Sequence, residues 1–213
     1  MKSSLTWPFV IAAILVLLDQ WLKLWVKTSF ALGESVSITS WFQLHFVENP
    51  GMAFGMEWGG KASKYALSSF RILAIGGILW YMHRLAKGGA KTFVLISFGV
   101  VLAGAFGNVL DSLFYGLLFD RGLVFQAEYG DWMMYTGVAQ WGSGYAPMLL
   151  GNVVDMFYFP LFEGILPEWI PFWGGEYFIF FRPIFNLADA CVSVGVVLLY
   201  WSSRQPLNWG SHR

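Results

Sequence analysis

Four of the six aspartates stand in apolar runs, where a carboxylate is costly to keep. Asp19 follows two leucines, and Asp111 closes Gly107-Asn-Val-Leu-Asp111. Asp155 closes Gly151-Asn-Val-Val-Asp155, and Asp189 closes Asn186-Leu-Ala-Asp189. Two acids that share a poorly hydrated site hold one proton between them. The ionised member activates a water, and the protonated member polarises a carbonyl. Such a pair hydrolyses a peptide bond without metal, serine or cysteine. The chain carries no HExxH or G-x-S-x-G motif, and its one cysteine, Cys191, lies in an apolar run. The histidines His45, His83 and His212 are scattered, so neither a metal nor a cofactor is expected. Spacing alone does not choose which two of the four acids pair.

The elements that must position these acids are membrane helices. Of 213 residues, 57% are hydrophobic and 12% charged, with a mean hydropathy of +0.57. A soluble domain has about a quarter of its residues charged. Net charge is zero and no basic tract exists, which excludes a nucleic-acid partner. Four segments approach the ~20 residues a bilayer requires: roughly 7–26, 69–85, 92–114 and 184–201. Lysine and arginine gather in the 83–91 link and the tail, which assigns both termini to the cytoplasm. Segments of about 28–68 and 114–182 then lie outside, and the whole of 1–213 is one integral membrane domain. The fold class is an all-α four-transmembrane-helix bundle with a small external β-rich element and an external insertion. Residues 35–54 alternate with a period near two, as short strands do. Gly59–Phe70 reads as an interfacial helix. On this topology Asp19, Asp111, Asp155 and Asp189 all fall at the outer leaflet. An acid at membrane depth costs about 2.5–3.5 kcal/mol on insertion scales, so their convergence signals a site.

Simpler roles compete for some of these residues. Asp19 and Lys23 are four apart and can pair on one helix face. Asn186 and Asp189 are three apart at a helix start, as a capping pair would be. Asn108 and Asp111 have the same spacing near a helix end, where an acid opposes the helix dipole and capping fails. Gly99, Gly104 and Gly107 suit close helix packing.

Five segments, taken in order, resemble lipoprotein signal peptidase (signal peptidase II), the intramembrane aspartyl peptidase family of bacteria. They are Asp19-Gln-Trp-Leu-Lys23, Asn49-Pro-Gly51-Met-Ala53-Phe54, Gly104-Ala-Phe-Gly107-Asn108-Val-Leu-Asp111, Val153-Val-Asp155-Met-Phe157 and Phe185-Asn186-Leu-Ala188-Asp189. The resemblance implies that Asp155 and Asp189 are the catalytic dyad and that Asn108 and Asn186 bond near the scissile peptide. Asp19, Lys23, Asn49, Gly51 and Asp111 would support the site. The implied substrate is a prolipoprotein carrying diacylglyceryl on the cysteine that becomes its new N-terminus, with the cut just before that cysteine. The implied setting is the bacterial inner (cytoplasmic) membrane, with membrane lipids as partners and a monomer as the expected state.

Two departures stand out. Ser112 occupies the place where the family carries arginine, and Arg121 is the candidate substitute. Asp111 and Asp155 are 44 positions apart (155 − 111), so about 114–150 is an insertion, read as an aromatic-rich external flap. The competing class is a small polytopic transporter or proton-relay protein, since intramembrane acids also serve proton paths. The acids' placement on one face and the lack of an inverted repeat oppose that class.

The topology is directly testable by cysteine-accessibility labelling. Gly130→Cys or Gly142→Cys should react from outside the cell and Gly88→Cys should be shielded; the reverse pattern overturns it.

Overall fold

The computed structural model describes residues 4–51 and 60–204. Residues 52–54 of the second quoted segment lie outside them. Helix α1 (Thr6–Ser29) carries Pro8 in its first turn, where a missing N–H is harmless, and Lys27 in its last turn, where a cation complements the dipole. Helices α2 (Gly60–Lys87), α3 (Thr92–Leu110) and α5 (Leu187–Arg204) complete the bundle. Helix α3 is central and contacts the other three. Among the described residues three helical stretches, Thr6–Ser29, Lys61–Lys87 and Thr92–Leu118, are long and apolar enough to cross a membrane; Leu187–Ser203 is shorter.

Two sequence expectations need correction. Residues 60–70 do not form a separate interfacial helix, because α2 runs unbroken from Gly60 to Lys87. Its buried stripe already begins with Lys64 and Ser68 and continues through Ile75 and Met82, so one face binds the bundle along its length. Nor does the third helix end near Asp111. The backbone widens into a π turn (Asp111–Tyr115) and continues as the short α4 (Gly116–Leu118). Asp111 is thus not at a bare C-terminus, and the dipole argument against it is weaker than its spacing suggests. A π turn is a common device at functional sites because it redirects side chains within a helix.

Strands β1 (Ser35–Ser37), β2 (Gln43–Asn49) and β5 (Val153–Tyr158) form an antiparallel sheet in the order β1-β2-β5. Val47 faces Asp155 and Asn49 faces Val153 in its register. Val153–Met156 are buried throughout, which explains why β5 reads as an apolar run and not as an alternating strand.

The insertion is no free-standing flap. Tyr115, Phe119 and Ala139 pack into one core with Val26, Phe30, Phe46, Val154 and Met156. Isolated bridges join Ala31 to Val138 and Phe119 to Trp141. Between them, β3 (Val124–Gln126) and β4 (Asp131–Met133) make a hairpin. A second hairpin, β6 (Phe162–Ile165) with β7 (Tyr177–Phe180), fills the chain between β5 and α5.

Helix spacing depends on small residues. A Cβ on Gly104 would overlap the Ala188 carbonyl of α5 and come within 2.7 Å of Val192. One on Gly107 would stand 2.5 Å from the Asp19 carboxylate. Overpacking typically costs about 1–3 kcal/mol. Gly104→Ala should therefore lower the thermal midpoint and folded yield in detergent. Gly76→Ala, where a Cβ meets open space, should leave both unchanged.

Candidate active site

One end of the bundle collects the polar residues. Asp19 and Lys23 come from the last turns of α1, Asn108 and Asp111 from the α3–π junction. Asp155 comes from β5, and Asn186 and Asp189 from the start of α5. At the centre is the Lys23 ammonium. Its three donors meet three acceptors: Asp19 Oδ2 at 2.9 Å, Asp111 Oδ2 at 2.8 Å and Asn108 Oδ1 at 2.9 Å. All four residues are buried. A fully satisfied arrangement is what a buried charge requires.

From Lys23 the bonding passes to the candidate dyad. Asn108 points its oxygen at Lys23, so its amide nitrogen faces the other way and donates to Asp189 Oδ1 at 2.8 Å. The Asn186 side-chain amide donates to Asn108 Oδ1 at 3.1 Å, to the Val154 carbonyl at 3.2 Å and to Asp155 Oδ1 at 2.7 Å. Asn186 Oδ1 also accepts the Asp189 N–H at 2.8 Å, while the Asn186 N–H donates to Asp189 Oδ2 at 3.2 Å. That reciprocal pair is a capping box. The capping role and the site role expected for Asn186 and Asp189 are therefore both present.

The two acids differ in environment. Asp189 is half-buried and receives two donors, one on each oxygen: the Asn108 amide on Oδ1 and the Asn186 N–H on Oδ2. Asp155 is 3% exposed and receives a single donor, on Oδ1. Burial, and secondly the Asp189 charge, push the Asp155 carboxyl up to about 8. Burial with a single donor favours the neutral form of Asp155.

The remaining expected residues are supports at different distances. Asp19 Oδ1 accepts the Ala188 N–H at 2.9 Å, tying α1 to the first turn of α5. Asp111 Oδ2 accepts the Val154 N–H at 3.3 Å, beside Asp155. Asn49 accepts the Gly51 N–H at 2.8 Å in a turn where Gly51 takes a φ of +102°. Ser112 bonds the Asn108 carbonyl at 3.1 Å. Arg121 does not replace the missing arginine, because it pairs with Asp120 at 2.8 Å and donates to the Thr136 carbonyl at 2.8 Å. The arginine in the field of Asp189, Asp111 and Asp155 is Arg71 of α2. The helical stripe Lys64, Ser68, Ile75 predicts that placement, since 71 falls on the same face.

Sequence reasoning missed two groups. Gln20 donates to Asp19, to Asp111 Oδ1 at 2.8 Å and to the Gly107 carbonyl, and accepts from Tyr115. The second group is a buried cluster around Glu48, which accepts from Lys27, Tyr135, Asn152 and the Leu123 N–H. Asn152 also accepts from Lys64 and donates to the Leu123 carbonyl at 2.9 Å. It lies one residue before β5, so this cluster ties the insertion and the start of the Asp155 strand to α1, α2 and β2. The only signal was compositional: Glu48, Lys27 and Lys64 are charges within or beside apolar elements.

The fold is shared with solved structures. Two solved structures, each described as a bacterial membrane enzyme determined by the in meso method, at 2.3 and 1.9 Å resolution, match with TM-scores of 0.61. Both are 20% identical; they cover 95% and 96% of this chain, and the match spans 90% and 97% of theirs. The family model for signal peptidase (SPase) II matches residues 11–204. A lipoprotein signal peptidase of Porphyromonas gingivalis is 47% identical over 194 residues, 89% of this chain and 80% of the relative. That of Amoebophilus asiaticus is 37% identical over 205 residues, 93% and 78% of the two chains. The chain belongs to the signal peptidase II family. An aspartic peptidase is thus the class found, and the transporter reading is not favoured.

The raised Asp155 carboxyl has a consequence for stability. Between the ordinary 3.8 and about 8 the folded protein keeps a proton that the unfolded chain has released. Stability attributable to this group therefore falls as pH rises through that window and is constant above it. The thermal midpoint of Asp155→Asn should lose that part of the decline, so the variant gains on the wild type between about pH 4 and pH 8. Parallel midpoint curves for the two proteins would place Asp155 in water.

Proposed function

We propose that Asp155 and Asp189 are the catalytic dyad of a peptidase that removes signal peptides from prolipoproteins. The observation that carries this reading is the Asn186 side chain, which bonds Asp155 through its nitrogen and the Asp189 backbone through its oxygen. One residue thereby brings together two acids that are far apart in the sequence.

The burial of Asp155 supports a division of roles. Asp189 is the base: it takes a proton from a water whose oxygen attacks the scissile carbonyl. Asp155 is the acid: it donates its proton to the carbonyl oxygen as the tetrahedral intermediate forms. Collapse of the intermediate returns one hydroxyl proton to Asp155 and breaks the C–N bond, and the proton held by Asp189 passes to the leaving amine. Arg71, Asn108 and Asn186 supply donors and positive charge around the developing oxyanion. No step needs a metal or cofactor.

Four spans with both termini in the cytoplasm place this end of the bundle at the outer leaflet of the inner membrane. The sheet β1-β2-β5 is then the external β-rich element. An apolar cleft of about 420 Å³ lies between α1, α2 and α3; Leu17, Ile75 and Phe106, which line it, are within four positions of Asp19, Arg71 and Asn108 in the sequence. A cleft without polar lining suits the acyl chains of a diacylglyceryl cysteine or the apolar core of a signal peptide. The precursor is accordingly one already carrying that lipid, cut just before the modified cysteine.

The test is cleavage of a purified diacylglyceryl-modified precursor. Asp155→Asn and Asp189→Asn should each abolish product, with the folded yield and precursor binding retained because asparagine is nearly isosteric. Wild-type activity should fall as pH rises through about 8, where Asp155 loses its proton. Chelators should have no effect. Substantial turnover by either variant defeats the dyad.

A further inference from the structure

The hairpin β6–β7 has no use in the site described above. Its strands pair only with each other. None of its residues belongs to either buried core. Phe162 faces Phe180 and Gly164 faces Phe178, so one face of the ribbon is almost wholly aromatic. The loop at its tip is closed by its own backbone: the Leu166 N–H bonds the Glu176 carbonyl and the Gly175 N–H bonds the Leu166 carbonyl, each at 2.9 Å. That ordered tip presents Trp169 at 79% exposure, Phe172 at 95% and Trp173 at 61%.

Such an element is unstable on its own in water. A two-stranded ribbon is marginal at best, and exposed aromatic patches mark a surface that something covers. The covering surface is suggested by where the ribbon is rooted. Phe185 bridges to Phe157, and Leu187 then begins α5, whose flank carries exposed Val194, Val197 and Trp201. The aromatic ribbon therefore springs from the boundary at which the apolar outer surface of the bundle ends. Residues 161–181 hold three glutamates, Glu163, Glu168 and Glu176, and no lysine or arginine. That charge disfavours anionic lipid.

We propose that β6–β7 is a membrane-docking hairpin whose aromatic face and tip embed in the interfacial zone of the outer leaflet, among zwitterionic headgroups. Tryptophan and tyrosine favour that zone, and an apolar face seated there sinks about 5–10 Å into the headgroup–acyl boundary. Docked in this way, the hairpin holds the strand it follows, β5, at a fixed depth. Asp155 is thereby set against substrates that are themselves anchored by lipid. The inference rests on the reading of the helices as membrane spans, and the experiment separates the two.

In a Cys191→Ser background, Phe172→Cys and Val197→Cys are each labelled with an environment-sensitive fluorophore. The full chain is placed in phosphatidylcholine nanodiscs loaded at one copy per disc. The expected result at Phe172→Cys is blue-shifted emission, several-fold protection from aqueous iodide and strong quenching by lipids spin-labelled near the headgroup. Val197→Cys should be quenched by lipids labelled deeper in the chain. Aqueous emission at Phe172→Cys with a lipid signal at Val197→Cys overturns the hairpin proposal alone. Aqueous emission at both positions overturns the membrane reading beneath it. A blue shift at Phe172→Cys that persists in detergent-free discs but resists every spin-labelled lipid means that protein covers the hairpin, which also overturns the proposal.

Discussion

The ammonium group of Lys23 is the hub on which this end of the protein depends. It is 0% exposed and surrounded by Asp19, Asp111 and Asn108. Removing a partner from a buried ion pair costs about 3–5 kcal/mol, because the survivor stays buried and uncompensated. Here the loss would reach further than the charges. Lys23 fixes which way the Asn108 amide faces, and Asn108 in turn bonds Asp189 and Asn186. Asp19 reaches the Ala188 N–H and Asp111 reaches the Val154 N–H. The ammonium thus sets where α5 begins and where β5 passes, and the two acids ride on those elements.

Much of the site was legible in the sequence because acids in apolar runs are rare and therefore informative. Asp19, Asp111, Asp155 and Asp189 stood out by expense alone, and the i, i+3 and i, i+4 spacings named Asn108, Asn186 and Lys23 as their neighbours. The four helices were legible from hydropathy for the same reason. What escaped was whatever hydropathy does not price. Gln20 is uncharged and followed Asp19 without a periodic signal, yet it bonds both Asp19 and Asp111. Glu48 and Asn152 are 104 positions apart and meet only because β2 pairs with β5. The continuation of α3 through a π turn has no marker in Asp111–Tyr115, where nothing interrupts the helical pattern.

The Glu48 cluster changes how the long insertion is understood. Lys27 of α1, Lys64 of α2 and Asn152 beside β5 converge there with Tyr135 and the Leu123 backbone. Lys27 also lies over the rings of Phe119, Tyr135 and Tyr145, at 5.0 to 5.6 Å. A segment that supplies aromatic walls and backbone donors to a buried carboxylate is part of the framework. Length made it look like a flap; Tyr115 and Phe119 near its start and Ala139 further on are built into the core.

The double duty of Asn186 bears on how the protein assembles. A helix cap is a local feature, formed when the first turn of α5 winds. A bond to Asp155 is long-range, formed when β5 arrives. Because one side chain does both, the local and distant events share an atom set, and neither is complete without the other. An asparagine in this position couples helix initiation to strand docking, so a half-built site with one acid placed and the other adrift is disfavoured. The two candidate acids therefore reach their shared arrangement together, when the start of α5 and the strand β5 have both closed on Asn186.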